Sequence, residues 1–266
     1  VLRNQKLSKL RRYSDVTQRI RSLPKVRKFL KMGLMGRLKG YPFYWLSNNV
    51  KHKPLAQIHL TGGIHGDEPA GVLGLLSFLE TADVALFDRL KVTVFPCMNP
   101  WGYEHNRREN SAAIDINRHF HDERIGEVRL MKKFWKTVQT PYDVAISCHE
   151  DYDAPGAYLY ELKARTPFWG HSVLSAFGNH VTIDPRPVIE GLPANQGWIR
   201  RNIKKYPPNL HPEAIFLFLE MAAHTMTFET PSLQPLEDRI QAQIAGLTKC
   251  FDLLTKQNGR GAQSKK

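Results

Sequence analysis

The chain has 266 residues, 42% of them hydrophobic and 24% charged, a composition that builds a core without staples and excludes long disorder. No apolar run approaches the roughly 18 residues of a bilayer span, since the best candidates, 71–79 and 214–219, are core-sized. Cys97, Cys148 and Cys250 are too few and too scattered for a disulfide framework or a thiolate cage, and no segment reads as a signal peptide, which leaves the compartment open between cytoplasmic and exported.

The formal net charge of +13 is unevenly placed: residues 1–40 carry thirteen Lys or Arg against the single acid Asp15, so the rest is nearly neutral. In that arm Leu7, Leu10, Tyr13, Val16, Ile20 and Leu23 recur near helical spacing, and Val26, Phe29, Leu30 and Leu34 resume after Pro24. The pattern predicts two short basic amphipathic helices, packed on the body by one face and solvated on the other. Contact with an anionic surface is the alternative; no nucleic-acid-binding motif is present, so nucleic acid is not expected as a partner. Beyond residue 40, composition shows no linker or repeat, which predicts one domain over 41–256 and a polar tail over 257–266.

Strands are predicted at Phe43–Ser47, Leu55–Thr61, Leu90–Phe95, Tyr142–Cys148, Tyr158–Tyr160, Ile215–Leu219 and Ala223–Phe228, and helices at Glu68–Leu79, Glu123–Val138, Pro167–Phe177 and Leu236–Leu254. Strands alternating with helices, the strands nearly continuously apolar, imply an α/β fold with a mixed, mostly buried sheet and helices on both faces. Ligands gather in such folds where loops leave strand ends.

Four polar motifs fall at such places. His65-Gly66-Asp67-Glu68 follows the strand ending at Thr61; an imidazole and a carboxylate three residues apart can share one borderline-soft dication, zinc above all, although Glu68 also reads as a first-turn acid favoured by the helix dipole. The polar stretch from Asn99-Pro100-Trp101-Gly102 through Arg107-Arg108-Glu109-Asn110 to Asp115-Ile116-Asn117-Arg118 is long for a structureless loop, and its arginines suit a substrate carboxylate or an oxyanion; solvated loop charges are the plainer reading, which Arg107 takes. His149 ends the apolar run from Val144, as a third ligand or a lone strand-end histidine, and Glu229 ends the strand before Pro231, as a general base or an exposed acid.

In this order, His65-x-x-Glu68, Asn99-Pro100-x-Gly102, Arg108-x-Asn110, Asp115-x-Asn117-Arg118 and Phe228-Glu229-Thr230-Pro231, with His149 between the last two, resemble the zinc metallocarboxypeptidase family, the relatives of carboxypeptidases A and B, over roughly residues 41–235. The resemblance is to a small form without a recognisable inhibitory prodomain. It implies one Zn2+ held by His65, Glu68 and His149, with Asp115 accepting the outer N–H of a ligand imidazole. Glu229 would take a proton from the attacking water and pass it to the leaving amine. Arg108 would face the oxyanion and help bind substrate, while Asn117 and Arg118 would hold the free carboxylate of a peptide.

Departures from the family are informative. Glu150-Asp151 follows His149 where digestive relatives carry a serine and an aromatic, which suggests an acidic wall and a preference for Lys or Arg at the scissile C-terminal position. Ala113-Ile114 and His119 also differ from the usual residues, and Tyr206 lies near the position of the relatives' mobile tyrosine without a motif to support it. The nearest competing reading is an N-acyl amino acid hydrolase of the aspartoacylase and succinylglutamate desuccinylase branch, from which the Asn-Pro-x-Gly and Phe-Glu-Thr-Pro segments separate this chain. A noncatalytic binding module that uses the basic arm on an anionic partner is the third.

Overall fold

The computed structural model describes residues 11–50, 52–203 and 211–263, the last seven in backbone only. Leu7, Leu10 and Tyr206 lie outside the described residues. Eight strands form one mixed sheet in the order β1 (Leu30–Leu38), β2 (Tyr41–Asn48), β4 (Leu90–Phe95), β3 (Ala56–Gly62), β5 (Val144–Asp151), β10 (His224–Pro231), β6 (Tyr158–Lys163) and β9 (Trp198–Arg200). The central four, β4, β3, β5 and β10, run parallel; β2 and β6 flank them antiparallel. A separate two-stranded ribbon joins β7 (Val188–Ile189) to β8 (Leu192–Pro193).

The helices cover both faces. On one lie α1 (Tyr13–Val26), α2 (Pro69–Thr81), α5 (Gly170–Phe177) and α7 (Leu236–Gln263); on the other lie α4 (Gly126–Trp135) and α6 (Glu213–Glu220). A further short helix, α3 (Pro100–His105), packs near β2 and α1. Strand pleating divides each central strand between the two layers. Ile58 and Leu60 of β3, Val144, Ile146 and Cys148 of β5, and Met226 and Phe228 of β10 enter the core under α2 and α7. The alternate residues, His59 and Thr61, Ser147 and His149, Thr227 and Glu229, therefore point to the opposite face, and the last of each set reaches the C-terminal edge where a site can form.

The predicted second arm helix is a strand. After α1 the chain turns into β1, which pairs antiparallel with β2 through a two-residue turn in which Lys39 and Gly40 both have positive φ. Such a turn suits the twist of a hairpin, and it outweighs the short apolar spacing read as helical. The predicted strand at Ile215–Leu219 is a helix, α6: a five-residue apolar run carries no period of its own, and Pro212 just before it starts a helix. α4 is shorter than expected at both ends, and α7 continues beyond Leu254 to Gln263. None of the described helices is long and apolar enough to cross a membrane.

α1 buries Tyr13, Val16, Ile20 and Leu23 in the main core. Two of its cations also reach the body: half-buried Arg19 makes two bonds to Glu80, at 2.9 and 2.7 Å, and exposed Arg21 donates to the Tyr44 hydroxyl, while Lys25 is exposed.

At the far side of the sheet, fully buried Glu161 accepts from His224 Nε2 (2.8 Å) and from the backbone N–H groups of Trp169 and Gly170 (2.8 and 3.0 Å) at the start of α5. Burial alone would raise its carboxyl, but these donors outweigh it and hold it below the usual range. A depressed carboxyl stabilises the fold fully above its unfolded value, about 4.3, and loses that stabilisation as pH falls through its folded one. Glu161→Gln is thus expected to lower stability at pH 7 by about 1–3 kcal/mol, with the difference from wild type shrinking below about pH 4 in urea titrations.

Candidate active site

Three segments deliver the predicted ligands to one point. β3 ends at Gly62, and the turn after it brings His65 back under the start of α2. Glu68 occupies the N-cap position of α2 but caps nothing with its side chain. α2 can lie this close to β5 because Gly71 faces Cys148: a Cβ there would stand 2.3 Å from the Cys148 carbonyl oxygen. His149 comes up beside them from β5.

His65 Nδ1 lies 2.6 Å from Glu68 Oε1, His149 Nδ1 lies 2.7 Å from Glu68 Oε2, and the two Nδ1 atoms are 3.2 Å apart. All three side chains are buried. Among the described residues this is the one group of three His, Cys, Asp or Glu side chains whose donor atoms lie within 4.8 Å of one another. Two ligands each about 2.1 Å from a tetrahedral ion stand roughly 3.4 Å apart, so the nitrogen pair already has the spacing of a shared cation and the Glu68 oxygens sit slightly closer. Two nitrogens and one carboxylate form a donor set suited to zinc, with a coordination position left for a reactant.

The surroundings favour positive charge. Burial would push the Glu68 carboxyl up, yet the flanking imidazoles hold it well below the usual carboxylate range. His65 Nε2 lies 3.2 Å from Asp115 Oδ1, which fixes the ring as an outer partner of a metal ligand does. Burial opposes the protonated form of His65, but Glu68 and Asp115 outweigh it and raise its pKa. Arg108 closes the group, donating from Nε to Asp115 Oδ2 (3.1 Å) and from Nη1 toward Glu68 Oε1 (3.4 Å).

The structure gives the Asn-Pro-x-Gly and Arg-x-Asn segments a mechanical meaning. Asn99 Oδ1 accepts from Gly102 N–H, and its Nδ2 donates to the carbonyls of Arg108 and Glu109, so one amide ties α3 to the segment that carries Arg108. Asn110 Oδ1 accepts from the N–H groups of Ala112 and Ile114 and so shapes the turn leading to Asp115.

Glu229 pairs in register with His149 on the adjacent parallel strand, so their side chains share a face. Its carboxylate lines the cleft and is pushed up to about 8, chiefly by burial, with His149 and Arg108 opposing and Glu68 and Asp151 adding. The cleft holds about 330 Å³, and its lining includes Asn117, Arg118, Ser147, Tyr158, Tyr160 and Arg201. Arg118 is exposed, its guanidinium donating to the Asn117 carbonyl (3.1 Å). Asn117 is half-buried beneath it, and Arg201 lies over the Tyr160 ring, 3.8 Å from its centroid.

Glu150 does not form the expected acidic wall. It alternates with His149 along β5, and its buried carboxylate turns toward α2 and α7, accepting from Ala70 N–H (2.7 Å) and from Arg239. Asp151 is the acid that reaches the rim, where it accepts from the Tyr158 hydroxyl (2.8 Å). Sequence reading missed Tyr158 and Tyr160, which the period-two alternation of β6 would have placed opposite Glu229 and Thr227. It also missed Glu213, hidden because its helix read as a strand.

Residues 54–146 match the family model of the succinylglutamate desuccinylase/aspartoacylase catalytic domain. No curated protein sequence matches the chain. Among solved structures, a protein of Shewanella amazonensis SB2B provisionally described as a metallopeptidase is 26% identical, with a TM-score of 0.80 over 91% of this chain and 93% of that one. A protein of Shewanella baltica OS155 with the same provisional description has the same fold at 23% identity, with a TM-score of 0.78 over 91% and 92%. A metallo-carboxypeptidase from Burkholderia cenocepacia shares the fold at 16% identity, with a TM-score of 0.66 over 88% of this chain and 67% of that one. Sheet order and structural neighbours together show the carboxypeptidase-like fold, and the family model over 54–146 supports a zinc carboxypeptidase-like family.

Proposed function

We propose that this protein is a zinc-dependent metallocarboxypeptidase that removes the C-terminal residue of a short peptide. The observation that carries the reading is the convergence of His65, Glu68 and His149 in a cleft that Glu229, Asn117 and Arg118 also line. A bound dication would supply a Lewis acid that polarises the scissile carbonyl and acidifies the attacking water. The chain's own residues do the rest. Asn117 and Arg118 bind the terminal carboxylate and so set the amide against the ligand triad. Arg108, its guanidinium held by Asp115, meets the negative charge that develops on the carbonyl oxygen. Glu229 accepts the proton of the water and returns it to the leaving amine.

One finding favours a second reading, hydrolysis of an N-acyl amino acid: the matching family model, whose 54–146 span includes His65, Glu68, Arg108, Asn117 and Arg118. Both readings require a free carboxylate beside the scissile amide. Turnover of hippuryl-Phe, hippuryl-Arg and N-acetylaspartate by the zinc-loaded protein separates them; activity on the last alone would replace the peptidase reading with the second. A preference for C-terminal Lys or Arg now rests on Asp151 rather than Glu150. Asp151→Asn is expected to lower the ratio of hippuryl-Arg to hippuryl-Phe turnover, and an unchanged ratio would remove Asp151 from specificity. Arg118→Ala is expected to raise KM about tenfold or more for free acids and far less for the matching C-terminal amides; equal effects on both would contradict its assignment to the carboxylate.

A further inference from the structure

Glu213 is completely buried between Pro212 and Ala214, which line the cleft, and its hydrogen bonds go to residues other than the three predicted ligands. Oε1 accepts from the Thr61 hydroxyl at 2.8 Å and lies 3.1 Å from His59 Nε2, while Oε2 accepts from the Ser147 hydroxyl at 2.5 Å. A carboxylate only accepts hydrogen bonds, so a fully buried one needs donors of this kind to be tolerated at all. Thr61 and His59 lie on β3 and Ser147 on β5, the two strands that lead into His65 and His149. The side chain of Glu213 therefore fixes the start of α6 against the same strands that carry the ligands.

Its main chain points the other way. The Glu213 N–H donates to Asn117 Oδ1 at 2.9 Å, while the Asn117 N–H donates to Asp115 Oδ1 at 2.9 Å. Only the oxygen of an amide can accept from an N–H, so this bond settles which way Asn117 is turned. Its Nδ2 is left as the end that can donate to a ligand in the cleft that Asn117 lines.

We propose that Glu213 is a positioning residue for substrate binding: by anchoring the first turn of α6 to Thr61, His59 and Ser147, it holds Asn117 with its Nδ2 donors facing the substrate's carboxylate. The inference rests on the reading of Asn117 and Arg118 as the carboxylate site. Without the anchor the helix start is free to shift, Asn117 loses the bond that orients it, and the cost falls on binding of the carboxylate rather than on the chemical step.

The test is a KM and kcat comparison on hippuryl-Phe and its C-terminal amide with the zinc-loaded enzyme. Glu213→Ala is expected to raise KM for the acid about tenfold, the scale of one lost charge-assisted bond, with the change confined to the acid and with metal content unaltered. Glu213→Gln should recover most of that loss, because its amide oxygen can still accept from one hydroxyl while the other hydroxyl turns to accept from the amide N–H. Thr61→Val keeps the buried shape and removes one donor, so it covers the case in which the alanine variant fails to fold; a several-fold rise in KM for the acid alone is expected there. A double variant of Glu213→Ala with Asn117→Ala should be no worse than Asn117→Ala, since the two act through one bond. Equal KM changes for acid and amide, additive losses in the double variant, or unchanged KM in both single-site variants would overturn the proposal while leaving the hydrolase standing. A wild-type enzyme that does not distinguish acid from amide would overturn the carboxylate site itself and this proposal with it.

Discussion

Glu229→Gln is expected to leave the dication bound and to cut kcat by about three orders of magnitude, the middle of the range for loss of a positioned base. The argument is one of separation. Glu229 lies on β10, next to the strand that carries His149, and it is not among the converging donor atoms, so glutamine disturbs none of the three. It keeps the shape of the side chain and an acceptor oxygen but cannot take a proton. Two measurements check this: metal stoichiometry of the purified variant, expected to match wild type, and single-turnover hydrolysis of hippuryl-Phe, expected to slow as much as steady-state turnover does. Near-normal kcat would remove Glu229 as the base, and loss of metal would make it part of the ligand set. KM should change little, because Asn117 and Arg118 are untouched.

Much of this site could be read from the chain because its parts lie at strand ends and loop starts, where polar residues break apolar runs. His65, His149 and Glu229 each follow a stretch of buried hydrophobics, and strand pairing puts His149, Glu229 and the end of the strand that leads to His65 at one edge of the sheet. What escaped was whatever depends on how the layers face each other. The Glu150 side chain belongs to the opposite layer from its neighbour His149, a consequence of the pleat that two adjacent acids in a sequence do not announce. The arm was misread for a related reason. Leu30, Met32 and Leu34 fit either period over so short a run, and the decisive signal was the turn at Lys39-Gly40 rather than the apolar pattern. Glu213 shows the limit most clearly, since its partners are 66 to 154 positions away along the chain.

The turn of the Glu150 carboxylate toward α2 and α7 makes its ionic contact costly to break. Arg239 on α7 is the sole side-chain donor to a carboxylate with no exposed surface among the described residues; the other donor is the Ala70 N–H in the first turn of α2. Arg239→Met keeps bulk while leaving that acid buried beside Glu68, and removing one partner of a buried pair typically costs about 3–5 kcal/mol. Burial already pushes the Glu150 carboxyl up to about 7, with Arg239 opposing and Glu68 adding, so loss of the guanidinium raises it further and the acid takes up a proton near neutrality. That proton limits the damage and gives it a sign. A carboxyl whose folded pKa lies above its unfolded value is best tolerated below the unfolded value and destabilises progressively as pH rises through the folded one. The loss of stability in Arg239→Met is therefore expected to be larger at pH 8 than at pH 5, measured by urea unfolding. Adding Glu150→Gln should recover most of it, because a neutral amide still accepts from Ala70 and no longer needs the arginine. A loss that is independent of pH, or one that Glu150→Gln fails to relieve, would assign Arg239 a packing role instead. Metal affinity should follow the same order, since Gln243, one turn further along α7, donates to the His149 carbonyl at 2.9 Å, so a loosened helix reaches the ligand strand directly.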